Sequence, residues 1–223
     1  MSNLLITSSF LDSVAWAKKA PSSPSNTPGL TWKEDAYFQL KDQLSRIWRD
    51  PTPALKRGMD FERQIYAILE EGKEDGDYSN EFKWFLTKCK NGQFQRKTKR
   101  IVEIDGKEYF LYGKIDVWFN NSIKDIKTTE NYKGSQKYLD SSQHLIYCFS
   151  EGINDFEYLV AEFRSKDELK IAATHSVPFM CKDTEVLGDE IKMRIKDAMN
   201  FLELFPEPGD LKELYYTKFN RSW

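Results

Sequence analysis

Between Tyr112 and Lys127 polar and apolar residues alternate, and the Asn120-Asn121-Ser122 triplet interrupts them as a turn would. That pattern predicts two short strands joined as a hairpin. Side chains alternate across a strand, so Ile115, Val117 and Phe119 are expected on one face and Lys114 and Asp116 on the other. In the second strand Asp125 and Lys127 share a face, with Ile126 opposite. A strand-like run over 94–104 leads to Asp105-Gly106, a two-residue hairpin signal, and 109–119 returns from it. With 123–128 this makes a three-stranded antiparallel meander.

The rest of the chain has mainly helical periodicity. A helix is expected over 4–19, with Phe10, Leu11, Val14 and Ala17 on its apolar stripe and Ser8 or Ser9 as its cap. Further helices are expected over 32–48, 53–70, 81–90, 141–148 and 183–204, and further strands over 157–164 and 171–177. Residues 72–79 read as a polar loop, and 21–29 (PSSPSNTPG) as a linker. The fold class is α/β or α+β, a central mixed sheet of about five strands flanked by helices. The expected division is 1–30, an N-terminal helix with its Pro/Ser-rich linker, and 31–223, the main domain.

Charge and cysteine content narrow the function classes. A net charge of −2 excludes a chain that coats nucleic acid by bulk charge, but leaves room for a local basic groove. No apolar run approaches the roughly 20 residues that span a bilayer, and residues 1–20 lack a signal-peptide pattern. Cys89, Cys148 and Cys181 are odd in number and widely spaced, as reduced thiols are. Together these features suggest a cytoplasmic protein with no membrane partner.

Candidate chemistry lies on the hairpin and the helix before it. Asp116, Asp125 and Lys127 gather two carboxylates and an ammonium group on one surface. Such carboxylates repel unless a cation lies between them, and hard oxygen donors suit Mg²⁺ or Mn²⁺. Taken alone, this is also the composition of an ordinary solvated hairpin. In the 53–70 helix Phe61, Ile65, Ile68 and Leu69 form the buried stripe. Glu62 stands beside it, either as a surface residue or as a ligand aimed into a cleft. Arg96, Lys97, Lys99 and Arg100 either protect an edge strand or contact phosphate. Gln143 and Tyr147, at i and i+4, share a helix face. His144 and His175 have no companion at ligand spacing and read as structural.

Glu62, Gly113-Lys114-Ile115-Asp116, Asp125-Ile126-Lys127 and Gln143-x-x-x-Tyr147 follow one another in the order of the PD-(D/E)XK nucleases. Within that superfamily the chain resembles the RecB-like branch, with its phage recombination and CRISPR-associated exonucleases. Ile6-Thr7-Ser8-Ser9-Phe10-Leu11 is similar to the branch's N-terminal helix, and Arg57-Gly58 to its first motif. The resemblance covers about residues 4–150. It departs at Glu62, where many relatives have a nearby histidine. It departs also in its cysteines: some relatives carry four on a [4Fe–4S] cluster, so no iron–sulfur cluster is expected here.

The resemblance implies a restriction-endonuclease-like core and a metal-dependent DNA nuclease. It implies that Glu62, Asp116 and Asp125, with the Ile126 carbonyl, hold one or two Mg²⁺ or Mn²⁺ ions. Lys127 would orient a water or stabilise transition-state charge, and Gln143 and Tyr147 would position DNA. The implied activity is exonucleolytic, on linear duplex ends in recombination or DNA processing. Alternatives are a structure-specific or restriction-type endonuclease, or a non-cleaving DNA-binding module. Implied partners are DNA and a single-strand annealing or recombination protein, and a homo-oligomer is compatible with the sequence.

Overall fold

The strand that carries Asp116 is the spine of the sheet. In the computed structural model, which describes residues 3–47, 50–72, 76, 78–164, 170–180 and 183–221, this strand is β3 (Lys107–Trp118). Its hairpin partner β2 (Gln93–Ile104) runs along the whole of one edge. The other edge is divided. β1 (Asn3–Ile6) pairs in parallel with Tyr109, Phe110 and Leu111, and β4 (Ile123–Thr129) pairs antiparallel with Val117 and Trp118. Beyond β4 lie β5 (Asp155–Phe163), parallel to it, and β6 (Ile171–Met180), antiparallel to β5. β7 (Asn220–Arg221) closes the far edge on β1. The described residues therefore form one mixed seven-stranded sheet. The expected meander is β2–β3–β4.

Around β5 both faces of the sheet are covered by helices, as alternation along that strand shows. Phe156, Tyr158 and Val160 enter the larger apolar cluster, and Leu159, Ala161 and Phe163 the smaller one on the opposite face. The larger cluster is built with α1 (Ser8–Lys19), α2 (Trp32–Ser45), α6 (Gln143–Glu151), α7 (Thr184–Leu202) and α8 (Leu211–Lys218). The smaller is built with α3 (Pro53–Leu69) and α4 (Asn80–Cys89). A short α5 (Gln136–Leu139) precedes α6. Phe61 on α3 is 1% exposed and meets Phe82, Phe85 and Phe163 edge-on. Truncating a ring packed this way costs about 3–5 kcal/mol. That anchor fixes the helix that presents Glu62.

Several sequence expectations need correction. Residues 4–6 form a strand, not the first turn of a helix, and the cap of α1 is Thr7, whose Oγ1 accepts from the Phe10 N–H. The strand count rises above five because β1 and β7 are short and lack flanking turn signals. α2 ends at Ser45, and Trp48 lies outside the described residues, as do Cys181 and most of 73–77. Ile115 and Val117 do not share a face either: Ile115 packs in the larger cluster and Val117 in the smaller. On β2 the same switch separates Phe94 from Arg96, which pairs with Glu151 of α6. Between them Gln95 adopts φ 55°, a left-handed conformation that interrupts the alternation.

Candidate active site

Asp116 and Asp125 are where β3 and β4 part. After Trp118–Ile123 and Val117–Lys124 the next rung would join these two aspartates, but the ladder stops. The Asp116 carboxylate takes over, its Oδ2 accepting the Ile126 N–H at 2.9 Å. Asp125 is fully buried. Its Oδ1 accepts from Gln143 Nε2 at 2.6 Å, and its Oδ2 has the Lys127 ammonium, 2.6 Å away, as its partner.

These distances set the electrostatics. Burial raises the Asp116 carboxyl well above the usual range, and the negative charges of Asp125 and Glu62 push it the same way. Lys127 and the Ile126 N–H oppose that rise without cancelling it. Burial alone would lower the Lys127 ammonium, but Asp125, Asp116 and Glu62 outweigh it, so its pKa is raised and the group stays charged. The cluster holds excess negative charge that one lysine does not neutralise.

Glu62 reaches the same cleft from α3. It accepts from the Tyr66 hydroxyl and, at 2.5 Å, from Gln95 Nε2, which also donates to Tyr66. Burial raises the Tyr66 phenol, helped by the charges of Asp116 and Glu62, so Tyr66 remains a donor. Sequence reading missed both residues. Tyr66 could have been found one turn after Glu62 on the same helix face. Gln95 has no signal in the sequence, because its placement depends on a backbone turn within a strand.

Gln143 sits at the first turn of α6 and lines the cleft with the acidic groups. Tyr147 does not. Its ring is 4% exposed and packs on Gly113, while its hydroxyl donates to the Lys114 carbonyl and accepts from Gln143. The ring is therefore not available to stack on a base. Ile126 contributes its N–H to Asp116 and its side chain to the smaller cluster.

The cleft, of about 400 Å³, gathers Glu62, Asp116, Asp125, Lys127 and Gln143 from three structural layers. Among the described residues no three carboxylates close around one point in their present rotamers. Lys127 occupies Asp125, and Tyr66 with Gln95 occupies Glu62. The donor set nonetheless fits a hard divalent ion. It offers only oxygens, it leaves the buried Asp125 Oδ2 to a single cation, and its crowded carboxylates and burial push the Asp116 carboxyl upward.

The histidines lie elsewhere. His144 Nδ1 meets the Tyr158 hydroxyl at 3.0 Å in the core, and burial, with Arg194, lowers its pKa to about 4. His175 Nε2 lies 2.8 Å from Glu162, with its ring stacked on Tyr132.

Among solved structures, that of the protein SSO0001 is similar over 97% of this chain and 86% of its own, with a TM-score of 0.51 at 15% identity. The likeness is one of fold. An alkaline exonuclease from Laribacter hongkongensis, LHK-Exo, is similar over 96% of this chain and 91% of its own (TM-score 0.45, 13% identity). A phage-related exonuclease from Haemophilus somnus 129PT is similar over 86% and 91% (TM-score 0.48, 14% identity). No family model matches the sequence, and no curated protein does.

Proposed function

We propose that the chain is a PD-(D/E)XK nuclease that hydrolyses DNA phosphodiesters with Mg²⁺ or Mn²⁺, acting as an exonuclease on linear duplex ends. The observation that carries this reading is the pairing of Asp116 and Asp125 at the parting of two strands, with Lys127 on Asp125 and Glu62 facing them. Glu62, Asp116 and Asp125, with the Ile126 carbonyl, would hold a divalent ion, which would supply charge for the scissile phosphate and lower the pKa of a bound water. The chain's own part is to orient and to donate. Lys127 is held charged within reach of a phosphoryl oxygen bound in the cleft, where an ammonium group stabilises charge gained in the transition state. Gln143 fixes Asp125, and Gln95 with Tyr66 fixes Glu62, so the donors are restrained before any ion arrives.

The test uses end-labelled linear duplex, covalently closed circular and single-stranded DNA with Mg²⁺ or Mn²⁺. Linear duplex is expected to shorten from its ends while closed circles survive. Asp116→Asn and Asp125→Asn should each abolish cleavage and the heat of Mn²⁺ binding in titration calorimetry. Unchanged Mn²⁺ binding in both variants would overturn the site, and rapid opening of closed circles would overturn the exonuclease reading.

A further inference from the structure

The two basic pairs on β2 point to opposite sides. Arg96 stacks on Trp118 at 4.1 Å and pairs with Glu151, while Arg100 stacks on Phe149 at 3.9 Å and donates to its carbonyl. Those two hold the ribbon to α6. Lys97 and Lys99 stand across from Lys114 and Tyr112 on the other face. All three lysines are exposed, and among the described residues none pairs with a carboxylate.

No helix layer covers that face. α3 and α4 shield the half of the sheet built by β4 to β6 and the end of the hairpin at Phe94, Gln95 and Val117, and leave β1 and the rest of the hairpin uncovered. What remains is a groove of about 670 Å³ floored by Leu5, Phe110 and Tyr112, with Lys97 and Lys99 along one wall. Arg46 and Phe219 form its rim, the guanidinium 5.3 Å from the Phe219 ring centre and donating to the Lys218 carbonyl at 2.9 Å. The groove leads toward the carboxylates along the same strand. Tyr112 is four residues from Asp116, about 13 Å at roughly 3.3 Å per residue, and Lys114 stands between them.

We propose that this groove binds a single strand of nucleic acid whose continuation enters the carboxylate cleft. Its phosphates lie along Lys114, Lys97, Lys99 and Arg46, and one base packs on the Tyr112 ring. Unpaired cations beside a half-exposed aromatic ring and an apolar floor match the requirements of a strand with its bases exposed. A closed duplex offers phosphates but no base face to Tyr112. The proposal rests on the nuclease reading for its direction, since the carboxylates mark the end at which the strand reacts.

The test is binding of a fluorescein-labelled twelve-residue oligothymidylate to the full chain in chelator, where no cleavage occurs, across a range of salt. Lys97→Gln with Lys99→Gln should weaken binding about tenfold or more and flatten the salt dependence by about 1.4 in log–log slope, the share of two phosphate contacts on a single strand. Tyr112→Ala should weaken it about fivefold or more at all salts. Lys33→Gln with Lys170→Gln removes equal charge elsewhere and should change little. Mn²⁺ calorimetry on the same groove variants should match the parent, so a failed metal site and a failed groove give different results. Equal weakening by the control pair, unchanged binding in the groove variants, or equal competition by covalently closed duplex would each overturn the proposal. So would a shift in sedimentation, rather than in strand binding, which would make the face a contact between copies.

Discussion

Lys127 separates chemistry from binding within the cleft. Its ammonium touches Asp125 and carries the charge that its acidic neighbours enforce. Lys127→Ala should leave Mn²⁺ affinity intact or tightened, because a competing cation is gone, while single-turnover cleavage slows by a factor of about 10² or more. A rate equal to the parent's would make Lys127 an ordinary counter-ion. His144 offers a measurement of stability instead. Its folded pKa of about 4 lies below the ordinary histidine value, so neutral His144 costs nothing above pH ~6.5 and the fold weakens as pH falls toward 4. That loss is on the order of 3 kcal/mol. His144→Asn should lose less stability than the parent between pH 7 and 4.5 in urea unfolding, and parallel losses would refute the assignment. That Glu62, Asp116, Asp125, Lys127 and Gln143 share one cleft was legible in the motif order the chain resembles, because each motif is a local run of residues. Gln95 was not, since one left-handed residue re-aims its side chain toward α3.

At the level of elements, α6 is held against β3 by a missing side chain. A Cβ on Gly113 would lie 2.2 Å from Tyr147 Cε1, so no larger residue fits without moving the helix that carries Gln143. Gly113→Ala should destabilise the protein by about 1–3 kcal/mol, the range for overpacked sites, and slow cleavage as Gln143 leaves Asp125. Adding Tyr147→Val should recover part of the melting temperature. If it does not, the glycine serves something other than the ring. The same contact explains why Tyr147 misled sequence reading. An i,i+4 pair on one helix face suggested a shared target, but the first residue reaches the cleft and the second fills the space that Gly113 leaves. Helical periodicity places a residue on a side of the helix without telling how deep its neighbours lie.

Across the whole molecule, the helices and the five longer strands were mostly legible, and the short strands β1 and β7 were not. Leu4-Leu5-Ile6 is an apolar run too short to distinguish strand from helix, and a strand in parallel pairing has no alternation to betray it. β1 is fastened from both sides by residues far along the chain. It pairs with residues 109–111, its Leu5 N–H donates to the Phe219 carbonyl at 2.9 Å, and the Tyr215 hydroxyl donates to the Leu5 carbonyl at 3.1 Å. A ribosome therefore makes this segment some two hundred residues before the partners that complete its bonding. Loop closure over such a span is slow, and until then an apolar strand edge stays open to other chains. Pulse-labelled hydrogen exchange during refolding should find the amides of Leu5 and Ile6 protected later than those of the β2–β3 hairpin. Simultaneous protection would mean that the hairpin waits for the ends of the chain instead.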